Sequence, residues 1–483
     1  MTTECADRST IGYPAAVRWL VFGSYDVRRH PRIGVLVQGL RAAGDQVVEL
    51  NVPLPLDTAG RVAVLRQPWR LPLLVGQLAR CWLLLALRSR RHRRAIRRGS
   101  AEAVHGVLVG YLGHFDVHLA RWLFRRTPIV LDHLASAVGT ARDRNLAERG
   151  GIRDRLMRMI DDAALRRADV VVVDTEEQAA ALPAHARGRE VVVPVGAGTE
   201  WFAAGGRAGS AGGREDDAEA PGVRVGPGDP PGAVRLNPVA GHRIQPRRDR
   251  RRDGDPGPVP ARLRVIFVGL FTPLHGTVTV GAALARLADD ERIEVTMVGT
   301  GQDFSACRRA AAGNPRITWY DWITATELPR CVARHQVSLG IFGDSGKALR
   351  VVPTKVFQGA AAGCAIVTSD TGPQRRALGD AAVFVPPGDP EALAAALRAL
   401  ADDPIRVAHL RAAARRRALD RFYPATVVAP LRQRFAVTGA PPCPYPGGAV
   451  ASGDEMFPGA PASPADPASP GGVTTLGGRP GPC

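Results

Sequence analysis

Short apolar segments that end at Gly, Asp or Pro alternate with Ala-, Leu- and Arg-rich segments of helical period along most of the chain. This alternation predicts βα units and a parallel sheet. In the first half, strands are predicted at 17–22, 47–50, 104–109, 129–132, 170–174 and 190–195. Helices are predicted at 33–43, 153–167 and 176–182. These elements predict a doubly wound domain over residues 17–204.

The same rhythm returns in the second half and predicts another doubly wound domain over residues 261–436. Its strands are predicted at 265–268, 294–298, 317–320, 337–341, 365–368 and 382–385. Its helices are predicted at 278–288, 304–312, 325–334, 354–362, 374–378, 390–400 and 405–422. The fold class is therefore α/β, with two Rossmann-like domains. Ligands of open α/β sheets bind at the carboxyl ends of the strands, so a two-lobed enzyme with a cleft between the domains is expected.

Three segments show neither the helical nor the strand pattern of apolar residues. Residues 205–260 are rich in Gly, Pro, Arg and acids, and predict a disordered linker between the domains. Residues 437–483 are rich in Pro, Gly, Ala and Ser and predict a disordered tail, and residues 1–16 predict a flexible N-terminus. The length of 483 residues accommodates two domains and these segments.

Charge is concentrated in one place. The net charge is +18, and residues 61–98 contain eleven arginines and no acid, so their partner should be anionic. The apolar run at 71–87 is interrupted by Gln77 and Arg80, which argues against a membrane span. Two readings remain open: a helix lying on an anionic lipid surface with Trp69 and Trp82 as anchors, or a helix buried between domains with a solvated arginine-rich end.

Composition also bears on the cellular compartment and the partners of the protein. The seven cysteines form no CxxC pair, so neither a zinc site nor a disulfide framework is indicated. The N-terminal residues do not read as a secretory signal. We expect a cytoplasmic protein. If the helix lies on an anionic lipid surface, the protein is peripheral on the inner face of the membrane. Nucleic acid is not expected as a partner, because aromatic residues do not interleave the basic run.

The stretch at 346–358 carries the clearest candidate chemistry. Lys347, Arg350 and Lys355 precede or open a helix with Pro353 in its first turn. A helix N-terminus attracts anions because its N–H groups are unpaired and its dipole is positive there. We therefore predict that these three cations bind a diphosphate, whereas their alternative role is that of solvated surface charges.

Two glycine-bearing loops of the second half also suit a phosphate ligand. Gly269 and the segment 270–276 lie between a predicted strand and a predicted helix. The loop at 298–302 does not match the GxGxxG fingerprint, so a nicotinamide cofactor is not indicated.

Nine short motifs recur in order along the chain: GSYD (23–26), HPR (30–32), ADVVVVDTE (168–176), VVPVGA (192–197), PLHG (273–276), VGTGQ (298–302), PTKVFQ (353–358), AAAGCAIVTSD (360–370) and GDAAVFVPPGDPEAL (379–393). In their order and spacing, these motifs resemble those of the family-4, or group 1, glycosyltransferases of the GT-B fold. The resemblance covers most of residues 17–436.

The resemblance implies retaining transfer of a hexose from a nucleotide-diphosphate sugar, held by the C-terminal domain. The acceptor, a glycan, a lipid-linked sugar or a small molecule, is held by the N-terminal domain. No bound metal or cofactor is implied, because cations and a helix N-terminus stabilise the leaving diphosphate in this family. The donor-binding candidates are Gly269, His275, Gly276, Gly301, Lys347, Arg350, Lys355 and Gln358.

The chain departs from the family pattern at two places. Arg350 and Gln358 stand where many members have the Glu pair of a Glu-x7-Glu element, and Leu270 and His275 stand where many have Arg and Lys. Gln358 can still hydrogen-bond a ribose hydroxyl. The alternative function is a nucleotide-sugar or glycan binding protein that keeps the two-lobed fold without turnover.

In the first domain, the loop with Gly23, Tyr25 and Asp26 is expected to line the cleft. Asp132 and His133 end a strand and are candidates for an acceptor contact or a proton acceptor. His114 and His118 have i, i+4 spacing, but no Glu between them completes a metalloprotease motif. We expect one of these two histidines, taken as His114, to face the cleft.

Overall fold

The computed structural model describes residues 17–27, 30–55, 69, 71–100, 103–110, 113–134, 136–144, 146–210 and 262–437. The predicted flexible N-terminus, residues 211–260 of the predicted linker and residues 438–483 of the predicted tail lie outside these ranges. Within them the chain forms two six-stranded parallel sheets with helices. The predicted α/β class with two Rossmann-like lobes is confirmed.

The first lobe contains a sheet with the strand order β2-β1-β3-β4-β5-β6. Its strands are β1 (Arg18–Gly23), β2 (Gln46–Asn51), β3 (Gly106–Val109), β4 (Ile129–Asp132), β5 (Val170–Val173) and β6 (Glu190–Val192). The helices of this half are α1 (Pro31–Ala42), α2 (Leu71–Arg88), α3 (Arg90–Arg97), α4 (Asp116–Leu123), α5 (Ala137–Asp143), α6 (Ile152–Leu165), α7 (Glu176–Ala180) and α8 (Thr199–Ser210). The order reverses at β1, so β1 and β3 flank a switch point where ligands of such sheets bind.

The second lobe contains a sheet with the strand order β12-β11-β10-β7-β8-β9. Its strands are β7 (Leu263–Val268), β8 (Ile293–Val298), β9 (Ile317–Tyr320), β10 (Val337–Leu339), β11 (Ala365–Ser369) and β12 (Ala382–Val385). The helices are α9 (Thr277–Ala285), α10 (Phe304–Ala310), α11 (Leu328–Ala333), α12 (Thr354–Ala361), α13 (Gly372–Leu378), α14 (Pro390–Asp402), α15 (Pro404–Arg421), α16 (Pro424–Val427) and α17 (Ala429–Val437). Here the switch point lies between β7 and β10.

The sheets form the core of each lobe. Strands β3, β4 and β5 consist of buried residues throughout, and β5 is a run of four valines. A parallel strand covered by helices on both faces needs such a continuous apolar run. Polar side chains appear directly at the strand ends, as with Asp132 at the end of β4 and Asp174 after β5, and both are buried. The core thus fixes the position of the polar residues that follow it.

Helices at the two places where the chain passes from one lobe to the other pack on the opposite lobe. Trp201 and Phe202 of α8 belong to the apolar cluster of Phe357 in the second lobe. In the other direction, Val428 and Leu431 join the cluster of Trp19 in the first lobe. These exchanges tie the two lobes together, and both sheets lie in one compact unit, residues 1–440.

The structure differs from the sequence-based prediction at these crossings. Residues 205–210, predicted as disordered linker, continue helix α8, because its first turns bury two aromatic side chains against the second lobe. Residues 424–436, which the prediction assigned to the second domain, pack on the first lobe instead: α16 contacts α1, and α17 contacts β6. Helices α4 and α5 were not predicted, because each is short and carries polar residues.

Candidate functional site

Three hydrogen bonds cross between the lobes at the segment 345–350. The Lys347 ammonium donates to Thr140 Oγ1 at 3.0 Å. The Ser345 hydroxyl donates to Asp143 Oδ1 at 2.8 Å. The Thr175 hydroxyl donates to the Arg350 carbonyl oxygen at 2.7 Å. The segment predicted to bind a diphosphate therefore lies against α5 and the end of β5.

Lys355 is buried at the first turn of α12, beneath the end of β7. Its Nζ lies 3.6 Å from the centroid of the Phe267 ring and has no hydrogen-bond partner among the described residues. Gly269 makes this approach possible, because a Cβ there would stand 2.8 Å from Nζ. Burial lowers the pKa of Lys355 well below its ordinary value. Burial therefore favours the neutral amine of Lys355, whereas a bound anion would favour its protonated form.

His275 lies beside this lysine, in a short 3₁₀ turn that ends at Gly276. Its Nδ1 contacts the Leu270 carbonyl oxygen, so Nδ1 carries the hydrogen. Burial lowers the pKa of His275 well below 6.5, and Lys355 lowers it further. His275 is therefore neutral, and its one N–H is already engaged and not free to donate to a phosphate.

Basic residues of both lobes influence the pKa of His275. Besides Lys355, the charges of Lys347 and of Arg144, which follows α5 in the first lobe, lower the pKa of His275. Burial lowers the pKa of Lys347, and the carboxylate of Asp143 opposes that shift. Lys347, Lys355 and Arg144 together form the basic cluster of this site. Arg350 is exposed, and its contact with a diphosphate stays a prediction.

The remaining donor-binding candidates have different surroundings. Gln358 is half-buried on α12. Gly276 has φ +60° and packs against the backbone of Phe342, where a Cβ would lie 2.3 Å from the carbonyl carbon. Gly301 packs equally closely on Phe271, with 2.3 Å from its Cβ position to the Phe271 oxygen. These two glycines are required by packing, whatever they do for a ligand.

The cleft loop of the first lobe is held by Asp116. Its Oδ2 accepts hydrogen bonds from the Ser24 N–H and hydroxyl, both at 2.7 Å. Gly23 has φ +150°, and a Cβ there would stand 3.2 Å from the same oxygen. Tyr25 is buried in the core, and burial raises the pKa of its hydroxyl. Asp26 is half-buried.

Asp132 at the end of β4 is paired with Arg32 of α1. The Arg32 Nε lies 3.3 Å from Asp132 Oδ1, and Arg32 also donates to the Val193 carbonyl oxygen at 2.9 Å. Burial raises the pKa of Asp132, and the charge of Arg32 opposes that shift. Asp174 is also buried, which raises its pKa to about 7. The buried guanidinium therefore links α1, β4 and β6 at the edge of the site.

His114, His133 and Asp161 form a buried cluster beside Asp132. The His114 Nε2 lies 3.0 Å from Asp161 Oδ1, and the His133 Nε2 lies 3.7 Å from it. Burial lowers the pKa of His133 to about 4, and His114 adds to the effect. Although burial alone would raise the pKa of Asp161, its bonds with His114 and two backbone N–H groups lower it. His118 lies apart from this cluster, on α4.

These three side chains are also the group that could hold a metal ion in the described part of the chain. Their ligand atoms all lie within 4.8 Å of one another. However, both Asp161 oxygens already accept backbone N–H groups of α5, from Ala137 at 2.7 Å and Val138 at 3.0 Å. Asp161 therefore holds the start of α5, while the Nε2 atoms of His114 and His133 have no hydrogen-bond partner among the described residues.

Sequence reasoning missed Arg144, Asp161 and Asp116, which follow or lie in helices without a recognised motif. One overlooked signal was compositional. Lys347 and Lys355 are the two lysines of the sequence, and all its other side-chain cations except histidine are arginines. An ammonium is a more compact charge than a guanidinium, so lysine at two neighbouring positions indicates a spatial requirement.

The arrangement of two facing Rossmann-like sheets is the GT-B architecture, and residues 262–403 match the family model described as glycosyl transferases group 1. The search of curated proteins finds no match. Several solved structures share the fold at low identity. A sucrose-phosphate synthase of Thermosynechococcus elongatus is 15% identical over 88% of this chain and 99% of that chain, with a TM-score of 0.57.

Two further structures have similar coverage. An α,α-trehalose-phosphate synthase of Burkholderia xenovorans, in complex with glucose-6-phosphate, is 12% identical over 87% of this chain and 99% of that chain, with a TM-score of 0.55. Anabaena HepE in complex with UDP-glucose is 13% identical over 88% and 98%, with a TM-score of 0.51. At these identities the likeness establishes the GT-B fold, and the family match covers the second lobe.

Proposed function

We propose that the protein is a glycosyltransferase that moves a sugar from a nucleotide-diphosphate sugar, held by the second lobe, to an acceptor held by the first. The observation that carries the proposal is the placement of two lysines at one end of the second sheet. Lys355 is buried beside His275 beneath Gly269, and Lys347 donates across the lobes to Thr140 at 3.0 Å. Because Arg144 comes from the first lobe, closing the lobes brings a further cation toward a departing diphosphate. The family match of residues 262–403 and the UDP-glucose bound to the Anabaena protein support this donor class.

In the proposed reaction, the bond between the sugar anomeric carbon and the diphosphate oxygen breaks, and the diphosphate keeps the electron pair. The acceptor hydroxyl oxygen forms the new bond and loses its proton to the departing phosphate oxygen. Cations placed where negative charge develops lower the barrier. We propose a retaining outcome, a hexose as the sugar, and no requirement for a metal ion or other cofactor.

Within this proposal, His133 contacts the transferred sugar or the acceptor as a neutral ring. His114 and Asp161 position that ring, and Arg32 positions Asp132. A pKa of about 4 makes His133 a weak base at neutral pH. It therefore acts through hydrogen bonds rather than by proton abstraction. The acceptor is a glycan, a lipid-linked sugar or a small molecule, and we propose a cytoplasmic location.

The two lysines allow a selective test. Periodate-oxidised UDP or GDP carries aldehydes that condense with a neutral amine, releasing water, and borohydride then reduces the imine. We expect labelling of Lys355 or Lys347, detected by peptide mass spectrometry and prevented by excess unmodified nucleotide. Lys355→Met should weaken nucleotide diphosphate binding by on the order of 1.5–3 kcal/mol in calorimetry. Arg406→Met, which removes an exposed cation on α15, is the matched control.

The alternative is a binding protein without turnover, which the replacement of the family's Glu pair by Arg350 and Gln358 favours. Incubation with a donor that binds separates the two functions. Slow release of free sugar without acceptor, sensitive to Lys355→Met, indicates an enzyme. Saturable binding with an intact donor after prolonged incubation indicates the alternative. Absence of saturable binding, or binding unaffected by Lys355→Met, contradicts both.

A further inference from the structure

Helix α2 presents an apolar face to solvent. Val75, Leu83 and Leu87 are exposed, with Leu83 at 61%, and they recur at spacings of four or eight residues along one side. Leu73 near the start of the helix and Trp69 just before it are exposed as well. A helix of a water-soluble lobe normally has polar residues on its outer side. Of the two hypotheses for this segment, the one that buries the helix between domains is therefore wrong, because Cys81 and Leu85 are the only buried residues of α2.

The opposite side of α2 is anchored to the first lobe. Leu85 belongs to the apolar cluster of Leu50 and Val117. The Trp82 indole N–H donates to Asp116 Oδ1 at 2.9 Å. By length and composition alone, α2 also qualifies as a membrane span. The anchoring to buried residues of a folded lobe instead favours a helix that lies along the surface of a membrane.

Exposed positive charge follows the apolar face of α2 along the chain. Arg88, Arg90, Arg94 and Arg97 are exposed, and residues 61–98 contain no acid. A second exposed indole lies beside them: Trp122, 57% exposed, has the Arg93 guanidinium 5.9 Å above its ring. Aromatic residues between an apolar face and a row of cations are typical of a helix at the headgroup level of a bilayer.

We infer that α2 and α3, together with Trp122, dock on an anionic lipid bilayer. The apolar stripe of α2 enters the boundary between headgroups and acyl chains, and the arginines of α3 pair with lipid phosphates. The charge complementarity selects this occupant over a neutral apolar partner. The inference stands independently of glycosyl transfer, since it uses none of the residues assigned to the donor site.

Flotation of the full chain with vesicles tests this inference. We expect binding to vesicles of phosphatidylcholine and phosphatidylglycerol in equal parts, little binding to phosphatidylcholine alone, and a decrease at high salt. Neutralising one arginine, as in Arg90→Gln or Arg94→Gln, should reduce the partition coefficient about fivefold. Leu83→Glu with Leu87→Glu should reduce it more than tenfold, roughly, because charge enters the apolar boundary.

The matched controls are Ile405→Glu, which adds the same charge at an exposed position of α15, and Arg416→Gln. Both should bind like the unaltered protein. Equal binding to neutral and anionic vesicles, or loss of binding in the controls as well, would overturn the inference. So would a dimer in size-exclusion chromatography that Leu83→Glu dissociates, combined with no vesicle binding, because a second copy would then cover the apolar face.

Discussion

At the scale of single residues, Lys355 combines a functional role with a cost in stability. Its amine is buried without a hydrogen-bond partner among the described residues, and burial lowers its pKa well below the ordinary value. Between that lowered pKa and the ordinary value near 10.4, the unfolded chain binds a proton that the folded protein does not. The contribution of Lys355 to stability therefore becomes more favourable as the pH rises through this range.

Lys355→Met should consequently raise the melting temperature at pH 7 while it weakens nucleotide diphosphate binding. An apolar side chain of similar length removes the cost of burying an amine. Differential scanning calorimetry measures the first effect and isothermal titration the second. Lys355→Arg should also weaken nucleotide diphosphate binding and should not raise the melting temperature, because the fork of a guanidinium does not fit beneath Gly269. A melting temperature lowered by Lys355→Met would contradict this reasoning.

His133 gives a pH-dependent prediction. Its pKa of about 4 lies below the ordinary value, so the unfolded chain takes up a proton between pH 6.5 and 4 and the folded protein does not. Unfolding becomes easier as the pH falls through that window. In His133→Gln, the decrease in the free energy of unfolding from pH 6.5 to 4.5 should be smaller by roughly 2 kcal/mol.

Chemical denaturation at the two pH values measures this difference. His409→Gln, at an exposed position of α15, serves as the control and should keep the pH dependence of the unaltered protein. An unchanged pH dependence in His133→Gln would show that another group carries the titration.

At the scale of elements, α5 holds the second lobe against the first. Asp143 accepts from Ser345 at 2.8 Å, and Thr140 accepts from Lys347 at 3.0 Å. Asp143→Ala removes one of these bonds and should raise the donor KM about fivefold, which corresponds to about 1 kcal/mol, with a smaller effect on kcat. The radius of gyration from X-ray scattering should rise. Asp420→Ala, an exposed change on α15, should alter neither quantity.

The same scale shows what the sequence pattern can predict. Strands β4, β9 and β12 were predicted at their observed bounds, because each is a short apolar run with polar or turn residues around it. Helix α5 was missed although its start carries a signal: the Ser136 hydroxyl oxygen accepts from the Gly139 N–H, as an N-cap does. The site residues contributed by such short helices, Asp143 and Arg144, were missed with them.

At the scale of the whole molecule, the beginning of the first lobe's sequence contacts the C-terminal helix α17. Arg432 of α17 donates from Nε to Asp45 Oδ2 at 3.0 Å and from Nη2 to Oδ1 at 3.1 Å. Asp45 also accepts from the Trp19 indole at 3.1 Å. Because 387 positions separate Asp45 and Arg432, no local pattern could predict this pair or the packing of the last helices on the first lobe.

Arg432→Met should destabilise the protein by about 3–5 kcal/mol, because it leaves the Asp45 carboxylate buried and unpaired. Urea denaturation measures the change. Combining it with Asp45→Asn should recover part of the loss, since the amide is neutral and its oxygen still accepts from Trp19. Arg421→Met, at an exposed position, is the control. A change below about 1 kcal/mol for Arg432→Met would indicate that the pair is solvated in solution.

The carboxylate of Asp116 has a practical consequence for anyone who shortens this protein. One of its oxygens binds Trp82 of the lipid-facing helix, and the other binds Ser24 in the loop after β1. A deletion of residues 71–98 made to improve solubility would leave that oxygen without its indole and loosen the Ser24 loop. Lost activity in such a truncated form would then report local damage rather than a need for lipid, whereas point changes at Leu83 and Leu87 avoid this ambiguity.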